Sequence, residues 1–166
     1  MKKLSVLFAA VAMFASVGLA KAQKVATLDL AGILNVMPEK KKADEQLEAY
    51  AKTKGADIEK QEKALQAEVE AYQKEAGKLT EAQRTAKEQE LQKKIQGLQQ
   101  IQQVAQKDLA EKQTSLYAPI EKKLNETIKK VADANGWEFV LDAANPAIIY
   151  KNGADATPAV KKELGL

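Results

Sequence analysis

Apolar residues recur at intervals of seven along the middle of the chain. The main series is Ala51, Ile58, Leu65, Tyr72 and Leu79, with Leu47, Val69 and Ala76 at intermediate positions. This heptad spacing is typical of a helix that packs against a partner helix. Lys54 and Gln61 fall where the seam should be apolar. The pattern therefore predicts a helix from Glu39 to about Gly77 with a thin, imperfect seam.

A second helical pattern runs from Glu81 to about Asn135. Its apolar positions are Leu91, Ile95, Leu98, Ile101, Ala105, Leu109, Leu116, Ile120, Leu124, Ile128 and Val131. Between the two patterns we expect Gly77 to take the left-handed conformation that ends a helix, and Thr80 with Gln83 to form a capping box. Pro119 predicts a kink. The chain should form an antiparallel hairpin with its tip near residues 77–80 and helices of roughly 60 and 80 Å.

The two ends of the chain show the period of β-strands. Ala26, Leu28 and Leu30 alternate in a predicted first strand, and Ala31 to Met37 predicts a turn or two of helix. After Gly136, residues 137–141 predict a second strand, with Trp137, Phe139 and Leu141 on one face, and residues 147–150 predict a third. Thr157 and Pro158 are typical of the N-cap and first residue of a closing helix.

These elements predict an α+β fold that is mostly α. Residues 23–38 and 136–166 should form a small β-containing head, and residues 39–135 a coiled-coil arm. The head's candidates for core or oligomer contacts are Val25, Leu28, Leu30, Trp137, Phe139, Leu141, Ile148 and Tyr150. A core of fewer than about 70 residues is marginal without disulfides or metals. We therefore expect other copies of the chain to complete the head.

The first residues are typical of a secretory signal. Lys2 and Lys3 precede an uncharged apolar run from Leu4 to Leu19, and small residues follow at positions 20 and 22. We expect cleavage between Ala22 and Gln23. A membrane anchor is the alternative, but the run is shorter than the roughly 20 residues that span a bilayer. The mature protein should therefore be secreted.

Charge and composition argue against several classes of function. The precursor has 26 basic and 23 acidic residues, and three of its lysines precede residue 23 while no acid does, so the mature chain has a formal net charge of zero. A nucleic-acid-binding protein normally carries a basic surface. Cysteine and histidine are absent, which removes thiolate and imidazole chemistry and the usual zinc ligands. Carboxylates such as Glu59, Glu62 and Glu68 are typical of a solvated helix face. We expect neither enzyme activity nor a cofactor or metal.

Several short motifs resemble those of the Skp/OmpH family of periplasmic chaperones. They are the mature start at residues 24–29, Met37-Pro38-Glu39, Ala118-Pro119-Ile120, residues 138–143, Ile149-Tyr150 and Asp155-Ala156-Thr157. The resemblance covers essentially the whole mature chain. It rests on the order of these motifs around a long helical insert, together with the signal sequence.

The resemblance implies a periplasmic homotrimer whose helical arms enclose a cavity for unfolded outer membrane proteins, without ATP. Our candidates for contact with such clients are Val69, Tyr72, Leu98, Ile101 and Val104, although taken singly each is more typical of a residue that joins the two helices. Contact with lipopolysaccharide or a membrane surface stays open, because the mature chain lacks net positive charge. The alternative function is a structural or adaptor coiled coil of the cell envelope with one defined partner.

Overall fold

The computed structural model describes residues 24–166. The predicted signal peptide and its cleavage between Ala22 and Gln23 lie outside these residues. The described elements, in chain order, are β1 (Val25–Leu28), α1 (Leu30–Leu34), α2 (Pro38–Glu75), a 3-10 turn (Ala76–Lys78), α3 (Glu81–Asn135), β2 (Phe139–Asp142), β3 (Ala154–Asp155) and α4 (Thr157–Leu164). Most of the described chain is helical, with one small sheet, as the sequence predicted.

Two compact units divide these elements. The hairpin unit comprises residues 31–126, and the sheet unit comprises residues 24–30 and 127–165. No described helix is both long enough and apolar enough to cross a membrane.

Side-chain bonds between α2 and α3 fix the geometry of the hairpin unit. As the residue number rises on α2 it falls on α3, so the two helices run antiparallel. From the start of α2 to the tip the pairs are Glu39–Lys123, Asp44–Tyr117, Lys54–Asp108, Glu62–Gln102, Glu68–Lys94 and Tyr72–Glu88. The predicted hairpin is confirmed, and its helices begin and end within two residues of their predicted positions.

The apolar seam of the hairpin is thin. Its buried apolar residues are Ala43, Leu91, Ile120 and Leu124, besides Ile33 and Met37 that precede α2. The predicted heptad residues from Leu47 to Leu79, which run along α2 and past its end, are only half-buried. Lys54 interrupts the seam as predicted, and it does so by donating to Asp108 at 2.9 Å while its ammonium lies 5.4 Å from the Tyr50 ring.

The tip contains the predicted capping box. The Gln83 amide N–H donates to Thr80 Oγ1 at 3.3 Å, and the Thr80 amide N–H donates to Gln83 Oε1 at 2.9 Å. Each side chain thus satisfies a backbone donor that the first turn of α3 leaves without a helical partner. The left-handed Gly77 was a wrong prediction: only Gly136 and Gly165 have positive φ among the described residues. The 3-10 turn ends α2 without that conformation.

The sheet unit is held by parallel pairing. β1 lies in the centre of the order β2-β1-β3 and is parallel to both neighbours. Val25 pairs with Phe139 and Thr27 with Leu141, whereas β3 pairs at Ala26 and Thr27. The buried apolar residues of this unit are Ala26, Leu28, Val131, Ala132, Ala156 and Val160.

Several sequence predictions for the sheet unit were wrong. Residues 147–150 form no strand; Asn145 to Ile148 instead make a turn, in which the Ile148 amide donates to the Asn145 carbonyl at 2.9 Å. The third strand is Ala154–Asp155. Leu30 starts α1 rather than extending β1. Helix α4 has Ala156, not Thr157, as its N-cap.

Candidate functional site

The five predicted client-contact residues lie on the hairpin unit in two groups. Val69 and Tyr72 are half-buried near the tip, and the Tyr72 hydroxyl donates to Glu88 at 2.6 Å. That bond raises the pKa of the Tyr72 phenol above its ordinary value. Leu98, Ile101 and Val104 lie together in the middle of α3. The structure therefore separates a tip pair from a mid-helix cluster.

The mid-helix cluster lies in a stretch of α3 without charge. Residues 95–106 contain six glutamines and no Lys, Arg, Asp or Glu, although 30% of the chain is charged. Ile101 and Val104 are 40% and 49% exposed, and Leu98 is half-buried. Large apolar side chains are thus accessible among uncharged amides, a composition that suits weak contact with many sequences.

Two adjoining hollows of about 300 and 570 Å³ lie between α2 and α3 at this stretch. Both are lined by Gln61, Gly97 and Ile101. Leu65 and Leu98 line only the first hollow, while Ile58, Gln100, Val104 and Ala105 line only the second. The two hollows share three lining residues and therefore adjoin, and we call them together the Gly97 groove.

Ion pairs between the helices stand at both ends of the Gly97 groove. Lys94 contacts Glu68 at one end, and Lys54 contacts Asp108 at the other. Their hydrogen bonds raise the pKa of Lys94, chiefly through Glu68, and of Lys54, chiefly through Asp108. Hydrogen bonds from Lys94 and, to a smaller extent, from Lys87 lower the pKa of Glu90 to about 2. These shifts keep Lys54, Lys94 and Glu90 charged at neutral pH.

A second polar cluster ties α2 to α3 near residue 44. Asp44 accepts from the Tyr117 hydroxyl at 2.6 Å and from the Lys40 ammonium at 2.7 Å, and Lys40 also lies 5.7 Å from the Tyr117 ring. The pKa of Asp44 is lowered, mainly by Lys40 and then by Tyr117, while the Asp44 carboxylate raises the pKa of Tyr117. This cluster fixes the spacing of the helices far from the groove.

The predicted head residues have very different exposures. Leu28 is buried, and Leu30, Trp137 and Ile148 are half-buried. Val25, Phe139 and Leu141 are 41%, 48% and 42% exposed, and Tyr150 and its neighbour Ile149 are 81% and 98% exposed. Paired residues of a parallel sheet project to the same face, so Val25 and Phe139 share a face with Leu141. One face of this sheet is therefore apolar and open in the single chain.

Sequence reasoning missed part of this arrangement. The sequence pattern assigned no site role to Gly97, which lines both hollows. Ile58, Leu65 and Gln61 were assigned to the seam, yet they also line the groove. Asp155 was quoted only as part of a family motif. Its carboxylate accepts from the Thr157 amide at 2.9 Å before α4, and its pKa is lowered mainly by bonds from Thr157.

These features define a helical-hairpin protein with a small parallel sheet formed by the two ends of the described residues. The family model described as "Outer membrane protein (OmpH-like)" matches residues 24–164. The chain belongs to this OmpH-like family, which is a chaperone family.

Two individual proteins illustrate the similarity. The chaperone protein Skp of Photorhabdus laumondii is 27% identical over 154 residues, covering 93% of each chain. The crystal structure of an OmpH-like outer membrane chaperone from Caulobacter crescentus superimposes with a TM-score of 0.72 at 21% identity, covering 84% of this chain and 82% of that one. At this identity the second likeness concerns the fold.

Proposed function

We propose that this protein is an ATP-independent periplasmic holdase, which keeps unfolded outer membrane proteins from aggregating. The observation that carries the proposal is the exposure of Ile101 and Val104 within the uncharged stretch of α3. Unfolded β-barrel proteins expose apolar side chains that aggregate in water, and shallow apolar contacts compete with that aggregation. The similarity to Skp supports the same proposal.

The proposed assembly is a homotrimer in which the open sheet face is covered by other copies. Val25, Phe139 and Leu141 supply its apolar side chains, and nearly fully exposed Ile149 and Tyr150 follow β2. A soluble monomer would leave this apolar face in water. Assembly would bring several hairpins together, and weak contacts repeated on several arms raise the overall affinity for one long client.

The decisive measurement is sedimentation equilibrium of the mature protein, alone and then with a urea-unfolded β-barrel membrane protein diluted into it. We expect a trimer that keeps the client soluble at a fixed ratio without nucleotide. A trimer that leaves the client to aggregate would favour the alternative, an adaptor coiled coil with one defined partner. A monomer would contradict the assembly.

Two substitutions separate client contact from assembly. Ile101→Asp or Val104→Asp should weaken client protection while the trimer persists, because an exposed carboxylate disfavours apolar contact without touching the sheet unit. Leu141→Asp should dissociate the trimer, because it places a charge on the proposed interface. Loss of the trimer in the Ile101 or Val104 variants would refute their assignment as contact residues.

A further inference from the structure

We propose that the Gly97 groove binds a short, uncharged, extended segment of the unfolded client. The inference rests on the proposed holdase function and adds the place of contact and the chemistry of the segment that fits there. Its occupant is a stretch of client chain that alternates apolar and neutral polar side chains.

The charge of the groove favours this occupant. The α3 wall between Lys94 and Lys107 has no formal charge. Of the charged residues that line the hollows, Glu68 and Lys94 neutralise each other and Lys54 is bonded to Asp108, while Asp57 lies on the α2 wall. A charged client side chain would lose water here without an available counter-ion on α3, and an acidic one would also face Asp57.

The lining also fits an extended backbone. Gln61 lines both hollows and Gln100 lines one, and each amide offers both a donor and an acceptor to the backbone groups of an unfolded chain. The apolar side chains of Ile58, Leu98 and Ile101 also line the groove. From Lys94 to Ala105 the groove runs for roughly 17 Å, the length of about five extended residues. A few side chains of one face of a client strand would occupy it.

Gly97 keeps this groove open. A Cβ built at Gly97 would meet no heavy atom within 4 Å, so glycine is not required there for close helix packing. A larger side chain at this position would extend into the open space that Gly97 lines. Gly55 on α2 has equally open surroundings and lines neither hollow. The two glycines therefore form a matched pair for a test.

The test compares Gly97→Leu with Gly55→Leu in the full mature protein. Both changes favour the helix, because leucine has the higher helix propensity, so both variants should fold. The probe is a terminally blocked peptide of about ten residues alternating valine with threonine, which is the length of a membrane-spanning β-strand. Its binding is followed by the NMR methyl shifts of Ile58, Ile101 and Val104. A second peptide carries two central aspartates in place of threonine.

We expect the uncharged peptide to shift these methyl signals in the wild type and in Gly55→Leu, with affinity reduced roughly tenfold in Gly97→Leu, since filling the groove removes the burial of about one apolar side chain. The aspartate peptide should bind more weakly than the uncharged one. Equal binding by Gly97→Leu and wild type would overturn the proposal, as would equal binding of the two peptides. Equal loss in both leucine variants would assign the effect to helix stiffness instead.

Two further measurements distinguish a failure of the groove assignment from a failure of the proposed holdase function. Shifts that follow protein concentration rather than added peptide would mean that a second copy occupies the groove, which would also overturn the proposal. Aggregation of the urea-unfolded β-barrel protein is measured in parallel with wild type. If wild type fails to prevent aggregation, the holdase function fails; if it succeeds while Gly97→Leu binds peptide normally, only the groove assignment fails.

Discussion

The Tyr117 hydroxyl donates a 2.6 Å hydrogen bond to Asp44 Oδ1, which joins two helices at positions 73 residues apart in the chain. The carboxylate thereby raises the pKa of Tyr117 above its ordinary value of 10.0. The folded state favours the neutral phenol. The stabilisation that this hydrogen bond gives the folded protein is therefore fully present at a pH below the phenol's ordinary pKa. It is lost as the pH rises through the raised value.

Absorbance at the phenolate wavelength during an alkaline titration tests this relationship. Asp44→Asn should return the Tyr117 titration toward its ordinary range, and Tyr117→Phe should remove one late-titrating phenol from the curve. Tyr72 provides an internal comparison, since its pKa is also raised, by Glu88, and Asp44→Asn should leave it unchanged. An unaltered titration curve in Asp44→Asn would contradict the assignment.

Thr80→Ala should destabilise the hairpin by about 1 kcal/mol, the usual cost of losing an N-cap side chain. The reason is that the Gln83 amide loses its 3.3 Å bond to Thr80 Oγ1. Urea unfolding followed by helical circular dichroism measures the change. In a double-mutant cycle with Gln83→Ala the two effects should be less than additive, since each side chain bonds the other residue's backbone. Strict additivity would show that the box does not act as a unit.

Alanine at two glycines should have opposite effects on stability. Gly55 is helical and open to solvent, so Gly55→Ala should stabilise the protein by up to about 1 kcal/mol through helix propensity. Gly136 follows α3 with φ +65°, so Gly136→Ala should destabilise it by roughly 1 kcal/mol or more because a Cβ disfavours that conformation. Chemical denaturation of both variants gives the signs, and the same sign for both would refute the argument.

Val160→Ala should cost about 2 kcal/mol, from lost apolar burial and the cavity left behind. Val160 is fully buried in the sheet unit, at 0% exposure. The matched control is Val36→Ala, whose side chain is 44% exposed and whose loss should cost much less. The difference in stability is measured from the denaturation midpoints of the two variants, provided that the denaturant dependence of the unfolding free energy is the same for both. Similar costs would show that Val160 does not belong to the core.

The hairpin could be predicted closely because its signals are local. A helical period, a proline at Pro38 and the Thr80–Gln83 capping box each act within a few residues, and all three appear in the structure. The left-handed Gly77 was wrong, since a 3-10 turn also ends a helix and glycine allows both conformations.

The sheet unit was harder to predict because strand pairing is not local. Ile149 and Tyr150 have strong β propensity, yet no described strand pairs with them in the single chain, whereas the weaker Ala154–Asp155 lies beside β1. Alternation placed Phe139 and Leu141 on one face of β2, but it did not show whether that face is buried within one chain.

The candidate site was predicted only in part. Leu98, Ile101 and Val104 were identified on α3, and their contact with clients stays a prediction. The sequence could not show that Gly97 lines a groove together with Ile58 and Gln61 of α2, because a groove depends on how two helices face each other. Heptad positions alone assign all such residues to the seam.

The parallel pairing of β1 with β2 has a consequence for the order of folding. No hydrogen bond between β1 and β2 can form until Phe139, which pairs with Val25 and follows it by more than a hundred residues, has been synthesised. The hairpin contacts nearest the tip, such as Tyr72 with Glu88, join residues only 16 apart and carry a far smaller loop-closure entropy. The hairpin can therefore zip from its tip while the first strand is still unpaired. A chain truncated before residue 139 would keep α2 and α3 and have no partner for β1, so the sheet forms only once synthesis is nearly complete.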